Sequence, residues 1–572
     1  MQNQLRTDRR NPSFTELFTP KLVTVLREGY GLKQFHADAI AGLTVAIVAL
    51  PLSMAIAIAS GLSPERGLYT AIIGGFLVSA CGGSRFQIGG PAGAFIVLAA
   101  GIVERHGYDG LALATLLAGL IMLAVGFMRL GTYVKYIPFP VTVGFTAAIA
   151  VVIFASQLKE LLGLTLPSEP ASFLPKLAAL WDARTTVNVQ AVAIGVLTLF
   201  IIVGLRKWRP AWPGFLIAIA VAAALASGFG LDVETIASRF GELPRSLPEP
   251  GLPPFSLAKA QAVLPDAATI ALLGAIESLL SAVVADGMSG RRHRSNCELV
   301  AQGIANAGSI CFGGMPVTGT IARTATNVRA GAVGPISGML HAVFLFLFML
   351  AFAPLAGFLP LAALGAVLAI VAWNMAERED FIMLLRSSRG DRLVLLTTFF
   401  LTVFVDLSVG IGVGVALSAF IFLHRMAESV EVEGQAQFIA DDQADDYAGR
   451  SAYDPAAFSS RDVVVYRISG AFFFGATAAV SSVLDRIGRP RVLVLDFSDV
   501  PMVDSTGAKA LQRLAEKLTA SGTLVCLTGA SIKVRRSLLR AGLQKPMIRY
   551  AKSAKQAVDL CLGRCSQPTL AD

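Results

Sequence analysis

Two ionisable residues stand in stretches that carry almost no other charge, and their types set the chemistry to look for. Arg323 lies in Thr320-Ile321-Ala322-Arg323-Thr324-Ala325-Thr326-Asn327, and Glu277 follows the uncharged run 267–276. A guanidinium in an apolar segment is expensive and ordinarily faces a cavity or a partner. Here it would supply a fixed cation for a carboxylate or an oxyanion. A carboxyl as deep as Glu277 either binds and releases a proton or acts as a structural counter-ion for Arg323, and the sequence leaves both open. Asp286, nine residues further on, falls about half a turn round the same helix and is not paired with Glu277.

Two glycine- and proline-interrupted segments frame these ions. One reads Gly89-Gly90-Pro91-Ala92-Gly93-Ala94-Phe95, the other Gly313-Gly314-Met315-Pro316-Val317-Thr318-Gly319-Thr320. Each opens a short apolar run, 92–104 and 318–328. Broken helices at matching positions of two halves point to a transporter site near the membrane midplane. Their first backbone N–H groups lack intrahelical partners and carry the positive end of the macrodipole, so two facing ends make an anion site. The expected pocket is built from Ala92, Gly93, Ala94, Gly319, Thr320, Ile321, Ala322 and Arg323, with Ser53 beside the helix-breaking Pro51. Gly93 and Gly319 would let a substrate approach the backbone. The same motifs also fit plain turns between helices.

The elements that must hold these residues are membrane spans. Of 572 residues, 54% are hydrophobic and only 15% charged, with a mean hydropathy of +0.65; soluble domains carry about 25% charged residues. That excludes a soluble enzyme and a disordered or fibrous chain. Uncharged runs cover 39–64, 110–128, 185–205, 212–231 and 330–376, each long enough for one or two helices of about 20 residues. The pattern predicts about fourteen spans over 38–426 in two seven-span halves, after a polar segment 1–37. An odd number per half makes the halves inverted repeats. Basic turns at Arg206-Lys207 and Arg291-Arg292, with the basic N-terminus, place both termini in the cytoplasm of a plasma (inner) membrane. The net charge of +9 therefore describes orientation, and no nucleic-acid partner is expected.

A polar linker, 427–460, precedes a second domain at 461–565 and a tail at 566–572. Strands at 462–468 and 492–497, with helices at 477–487 and after Asp504-Ser505-Thr506-Gly507, predict a small α/β fold. Ser505 and Thr506 are candidates for a helix cap; the Asp504–Gly507 loop also resembles the one phosphorylated in STAS regulators, a resemblance that implies Thr506 as the acceptor, where a helix N-terminus would favour a phosphate. His36, His106, His293, His341 and His424 are dispersed, and the six cysteines show no ligand spacing. No metal, cofactor or catalytic residue is expected.

Pro51, Gly89-Gly90-Pro91, Glu277 and Gly319 through Asn327 together make the membrane part similar to the SulP family of anion transporters. The second domain resembles that family's STAS domain. The resemblance implies seven-plus-seven inverted repeats, with spans 1–4 and 8–11 as a mobile core and 5–7 and 12–14 as a gate. It also implies a homodimer and an elevator-like movement. Ala275 through Leu280, Asp286-Gly287-Met288, His293, Asn296, Glu298-Leu299-Val300 and Asn327 through Ala332 look like the DauA-like group. That group implies uptake of C4-dicarboxylates (succinate, fumarate, aspartate) with protons at Glu277, sodium being the other coupling ion in view. Sulfate and bicarbonate are the alternative cargoes. Leu52 and Ala322 depart from the family's usual Gln and Ser, which shifts recognition onto backbone N–H groups and Arg323. A membrane-anchored STAS signalling scaffold, binding a cytosolic protein, is the rival class.

Overall fold

The computed structural model describes residues 13–132, 138–166, 169–170, 172–209, 212–428, 431–434, 463–472, 490–551 and 556–557. The chain forms two compact units, 1–415 and 416–572. The expected helix 477–487 and the tail 566–572 lie outside the described residues, as does most of the linker.

The uncharged runs of the first unit become helices because every backbone N–H and C=O must find its partner within the segment once water is gone. They are α1 (Leu32–Ala59), α3 (Phe95–Phe127), α4 (Phe139–Leu162), α5 (Val189–Trp208), α6 (Gly214–Gly228), α7 (Leu257–Ser289), α8 (Ser295–Cys311), α9 (Ile321–Arg329), α10 (Ile336–Ala356), α11 (Leu361–Met375), α12 (Arg389–Phe404) and α13 (Leu407–Glu428). Between α1 and α3, the run 64–81 is α2, two α-helical pieces joined by the π-turn Thr70–Gly74. The third and fourth expected spans are one helix by hydrogen bonding, broken only at Gly107 (φ 67°, ψ −176°). A left-handed φ of that kind is open to glycine at little cost. Counted across that break, the passes number fourteen among the described residues. Phe139, Phe154, Phe200, Phe352, Phe400 and Phe420 point outward, an apolar exterior that suits a bilayer.

The helices pack as two bundles. In one, α1 packs on α10, and α3 on α7 and α8; in the other, α4 packs on α11 and α12, and α5 on α6 and α11. These are the groups the resemblance implies.

Two-residue strands tie the halves of the first bundle together. β1 (Gly89–Gly90) leads towards α3 and β2 (Thr318–Gly319) leads into α9. They pair antiparallel, Gly89 with Gly319 and Gly90 with Thr318, as an inverted relationship between the halves requires. Thr320 continues the contact by donating its N–H to the Ile88 carbonyl at 3.0 Å. The pair rests on α2, where a Cβ on Gly75 would come within 2.8 Å of the Gly89 carbonyl oxygen.

The second unit holds a five-stranded sheet of β3 (Glu431–Gly434), β4 (Val463–Ser469), β5 (Val492–Asp496), β6 (Leu524–Thr528) and β7 (Ile548–Ala551), in that spatial order. β3 is antiparallel to β4 and the remaining pairs are parallel. Parallel neighbours need crossovers; α14 (Ser505–Ala520) supplies the one from β5 to β6 and α15 (Ile532–Arg540) the one from β6 to β7. Phe472, Leu495, Phe497, Leu511 and Leu527 fill the core. Cys81, Cys297 and Cys311 are free thiols. Cys526 of β6 is disulfide-bonded and belongs to a small buried cluster with Val465, Val492, Val494 and Ala557.

Candidate anion site

The β1–β2 pair has two faces, because successive residues of a strand point to opposite sides and paired residues point to the same side. Gly90 and Thr318 face the front. A Cβ on Gly90 would collide with Nη1 of Arg323, so the absent side chain is where the guanidinium lies. Thr318 donates its hydroxyl to the Gly274 carbonyl of α7 at 2.9 Å. Glu277 lies one turn along α7 from that carbonyl.

Arg323 is 3% exposed. Its Nη2 donates to Ser53 Oγ at 3.2 Å, which joins α9 to α1 just past Pro51. Nε and Nη1 meet no hydrogen-bond partner among the described residues. A buried cation with donors to spare is the arrangement an incoming oxyanion would complete. Neither half-helix has a side-chain N-cap: Thr320 begins α9 and Ala94 begins α3 without one. The two ends differ in access. Ala92, Gly93 and Ala94 are buried, whereas Thr320 is partly open and Ile321 and Ala322 are exposed.

Glu277 remains partly accessible between buried Ile276 and Ser278. No ion pair joins it to Arg323 among the described residues, so the counter-ion alternative finds no contact there. The space at the two glycines chosen from sequence is already taken. A Cβ on Gly319 would strike the Gln87 side chain, and one on Gly93 would meet Met375 Sδ at 3.2 Å and Ile153 Cδ1 at 3.5 Å. The glycine that admits the cation is Gly90, because strand alternation puts Gly319 on the opposite face.

Behind the pair stands a polar cluster that sequence reasoning did not place in the site. Glu298 of α8 is fully buried. One carboxylate oxygen accepts the N–H groups of Gly83 (2.9 Å) and Ser84 (3.0 Å). The other accepts from Gln87 Nε2 (2.9 Å), Ser278 Oγ (3.3 Å) and Gln302 Nε2 (3.1 Å). Thr324 closes the flank, accepting the Ile88 N–H at 3.1 Å and the Ser281 hydroxyl at 3.0 Å. The signal lay in sequence as Glu298 and Gln302, polar residues four apart on one helix face. Their partners in the 83–87 loop are visible only in three dimensions.

In the second unit, Asp504 caps α14 by accepting the Gly507 N–H at 2.7 Å. The capping role considered for Ser505 or Thr506 therefore belongs to Asp504, one residue earlier. Ser505 and Thr506 lie in the first turn and are exposed. Among the described residues no group of three or more His, Cys, Asp or Glu side chains could hold a metal ion.

Apolar passes around two opposed helix ends and one buried guanidinium define a multi-pass membrane protein that handles anions. The chain belongs to the sulfate permease family, whose pattern matches residues 35–398, with a STAS domain matched at 455–557. It is an anion transporter and not an enzyme. YvdB of Bacillus subtilis is 40% identical over 90% of this chain and 95% of its own length. The bicarbonate transporter BicA of Synechocystis is 31% identical over 88% and 90%. A sodium-independent sulfate anion transporter of Bos taurus is 27% identical over 90% and 86%. The murine Slc26a9 anion transporter in its inward-facing state shares the fold, with a TM-score of 0.84 over 98% of this chain and 97% of that one at 19% identity. The transmembrane domain of a cyanobacterial BicA superposes with a TM-score of 0.61 at 31% identity, covering 67% of this chain and 98% of that one.

Proposed function

We propose that this chain is a secondary active transporter of a small oxyanion, bound at the crossing of α3 and α9 beside Arg323. The observation that carries the reading is the buried guanidinium, pinned by Ser53 and left with two donor nitrogens, Nε and Nη1, that meet no partner among the described residues. Sulfate and bicarbonate are the first substrates to test, since relatives over most of the chain are named for them. C4-dicarboxylates are the second reading, favoured by the Ala275–Leu280 and Asn327–Ala332 segments. Their carboxylates present the same paired oxygens to Arg323. Glu277, accessible and not ion-paired with Arg323, carries the coupling proton; sodium is the alternative ion. The α1–α3 and α7–α10 bundle moves as the core against the other bundle in an elevator-type cycle. The protein works as a homodimer in a bacterial inner membrane with both termini cytoplasmic. The STAS domain serves as a docking or phosphorylation module through Ser505 and Thr506.

Counterflow in proteoliposomes tests this reading. Labelled sulfate should accumulate against unlabelled sulfate inside, saturate with concentration and be competed by bicarbonate, or else by succinate, fumarate and aspartate on the second reading. Flux that neither saturates nor exchanges would make the protein a channel. Deleting the STAS domain should leave measurable uptake; a signalling scaffold would show no flux of its own. Glu277→Gln should flatten the pH dependence of uptake, and an unchanged pH profile would remove Glu277 from the coupling step.

A further inference from the structure

A second concentration of positive charge lies away from the Arg323 site, where the N-terminal segment folds back on the first bundle. The helix Lys21–Arg27 is held down by the Lys21 N–H donating to the Gly82 carbonyl (2.9 Å). Arg294 Nη1 donates to Thr19 O (2.7 Å) and Thr24 Oγ1 (3.1 Å). Beneath the segment is a cavity of about 350 Å³, lined among others by Glu28, Tyr30, Gln34, Arg85, Ser289 and Arg291. Arg85 is 8% exposed and ion-paired to Glu28, a carboxylate with 48% of its side chain exposed.

Cations outweigh acids here. Arg85 and Arg291 line the cavity, and Lys21 and Arg294 stand close enough to be felt. Burial, then the neighbouring charges of Arg294 and Arg85, push the Lys21 ammonium below its usual range. The hydrogen bond from Arg85, reinforced by the charges of Arg85, Arg291 and Lys21, holds Glu28 below the usual carboxylate range. The other nearby acids are engaged elsewhere. Asp286 pairs with His293 at 2.7 Å, and Asp38 accepts the Tyr30 hydroxyl (2.7 Å) and the N–H groups of Val333 and Gly334. Among the described residues Glu28 is thus the one carboxylate lining the cavity, beside Arg85 and Arg291, and it is tethered to a surface segment.

We propose that this cavity is an anion-binding site separate from the transport site, in which a small oxyanion replaces the Glu28 carboxylate on Arg85 and is shared with Arg291. Arginine's fork suits phosphate, sulfate and carboxylate heads alike. The oxyanion comes either free from solution or as the phosphate of an anionic lipid. Binding would bear on the transport site through a short path. Arg85 is followed by Phe86, whose carbonyl accepts from Asn327 of α9 at 2.9 Å, and then by Gln87 behind β2. Release of Glu28 would loosen the N-terminal segment over this loop.

The test uses the full-length chain carrying Arg323→Gln, which silences the transport site, in phosphatidylcholine nanodiscs with labelled inorganic phosphate. Saturable, salt-sensitive binding is expected. Arg85→Gln added to this background should weaken it at least tenfold, and Glu28→Gln should tighten it several-fold by removing the internal competitor. Where Arg85→Gln does not fold, Arg291→Gln, at an exposed position, should still weaken it. If phosphate does not bind but phosphatidylglycerol is retained by native mass spectrometry and lost with the same substitutions, the source is lipid and the site stands. If neither ligand distinguishes the Arg323→Gln chain from its Arg85 and Arg291 derivatives, the proposal is overturned. Failure of counterflow in the unsubstituted protein would overturn the transport reading without touching this one.

Discussion

Replacing Arg323 by methionine should abolish uptake while making the substrate-free protein more stable. The side chain is 3% exposed and leaves Nε and Nη1 without acceptors among the described residues. Each unmet buried donor costs about 1–3 kcal/mol, against about 1 kcal/mol recovered from the single bond to Ser53. An apolar residue of similar length removes both terms, so the net gain is about 1–5 kcal/mol, seen as a melting temperature a few degrees higher. Substrate reverses the advantage. At a hundredfold excess over Kd the unsubstituted protein gains about 2.7 kcal/mol and the variant gains nothing. Thermal melts with and without substrate, alongside counterflow, measure both halves. A variant that melts lower than the unsubstituted protein without substrate would show that Arg323 is structural, and retained uptake would refute its role as the fixed cation.

Gly90→Ala should impair transport far more than Gly93→Ala. The first drives a methyl into the guanidinium, at about 1–3 kcal/mol for overpacking, while the second meets the adaptable end of Met375; uptake kinetics of the two variants compare them directly. Glu298→Ala should cost several kcal/mol by stranding the donors of Gly83, Ser84, Gln87, Ser278 and Gln302, at about 1–3 kcal/mol for each one left unmet. The loss should appear in the melting temperature and the yield of monodisperse protein, and a melt unchanged from the parent would contradict the network. Asp504→Ala should destabilise the STAS unit by about 1 kcal/mol through loss of the α14 cap, whereas Ser505→Ala should be nearly neutral. Hydrogen exchange along α14 reports both.

Fold and site were legible to different depths. Scarcity of charge exposed the passes, because a membrane helix must be apolar over about 20 residues whatever it packs against. Glycine and proline marked the two broken helices for an equally local reason. Arg323 stood out for the same scarcity. What stayed hidden depended on pairing. The alternation of β1 and β2 decides that Gly90, not Gly319, makes room for the arginine, and that register is set by contact between segments more than two hundred residues apart. In sequence Glu298 entered only as part of a segment similar to the DauA-like group, since four of its five donors come from a loop and another helix that only folding brings to it. Asp504 rather than Ser505 or Thr506 caps α14, a one-residue difference that local sequence did not resolve.

The two-rung ladder between Gly89–Gly90 and Thr318–Gly319 makes the pocket indivisible. Each repeat contributes one broken helix, yet the backbone of each is completed only by the other, and the charge comes from one side alone. A displacement of either broken helix must carry its partner along, because sliding by one residue would exchange the face that holds Arg323 for the face that holds Gln87. The site is thus conserved as a unit through any motion that leaves the ladder paired, and half of this protein would have no pocket at all.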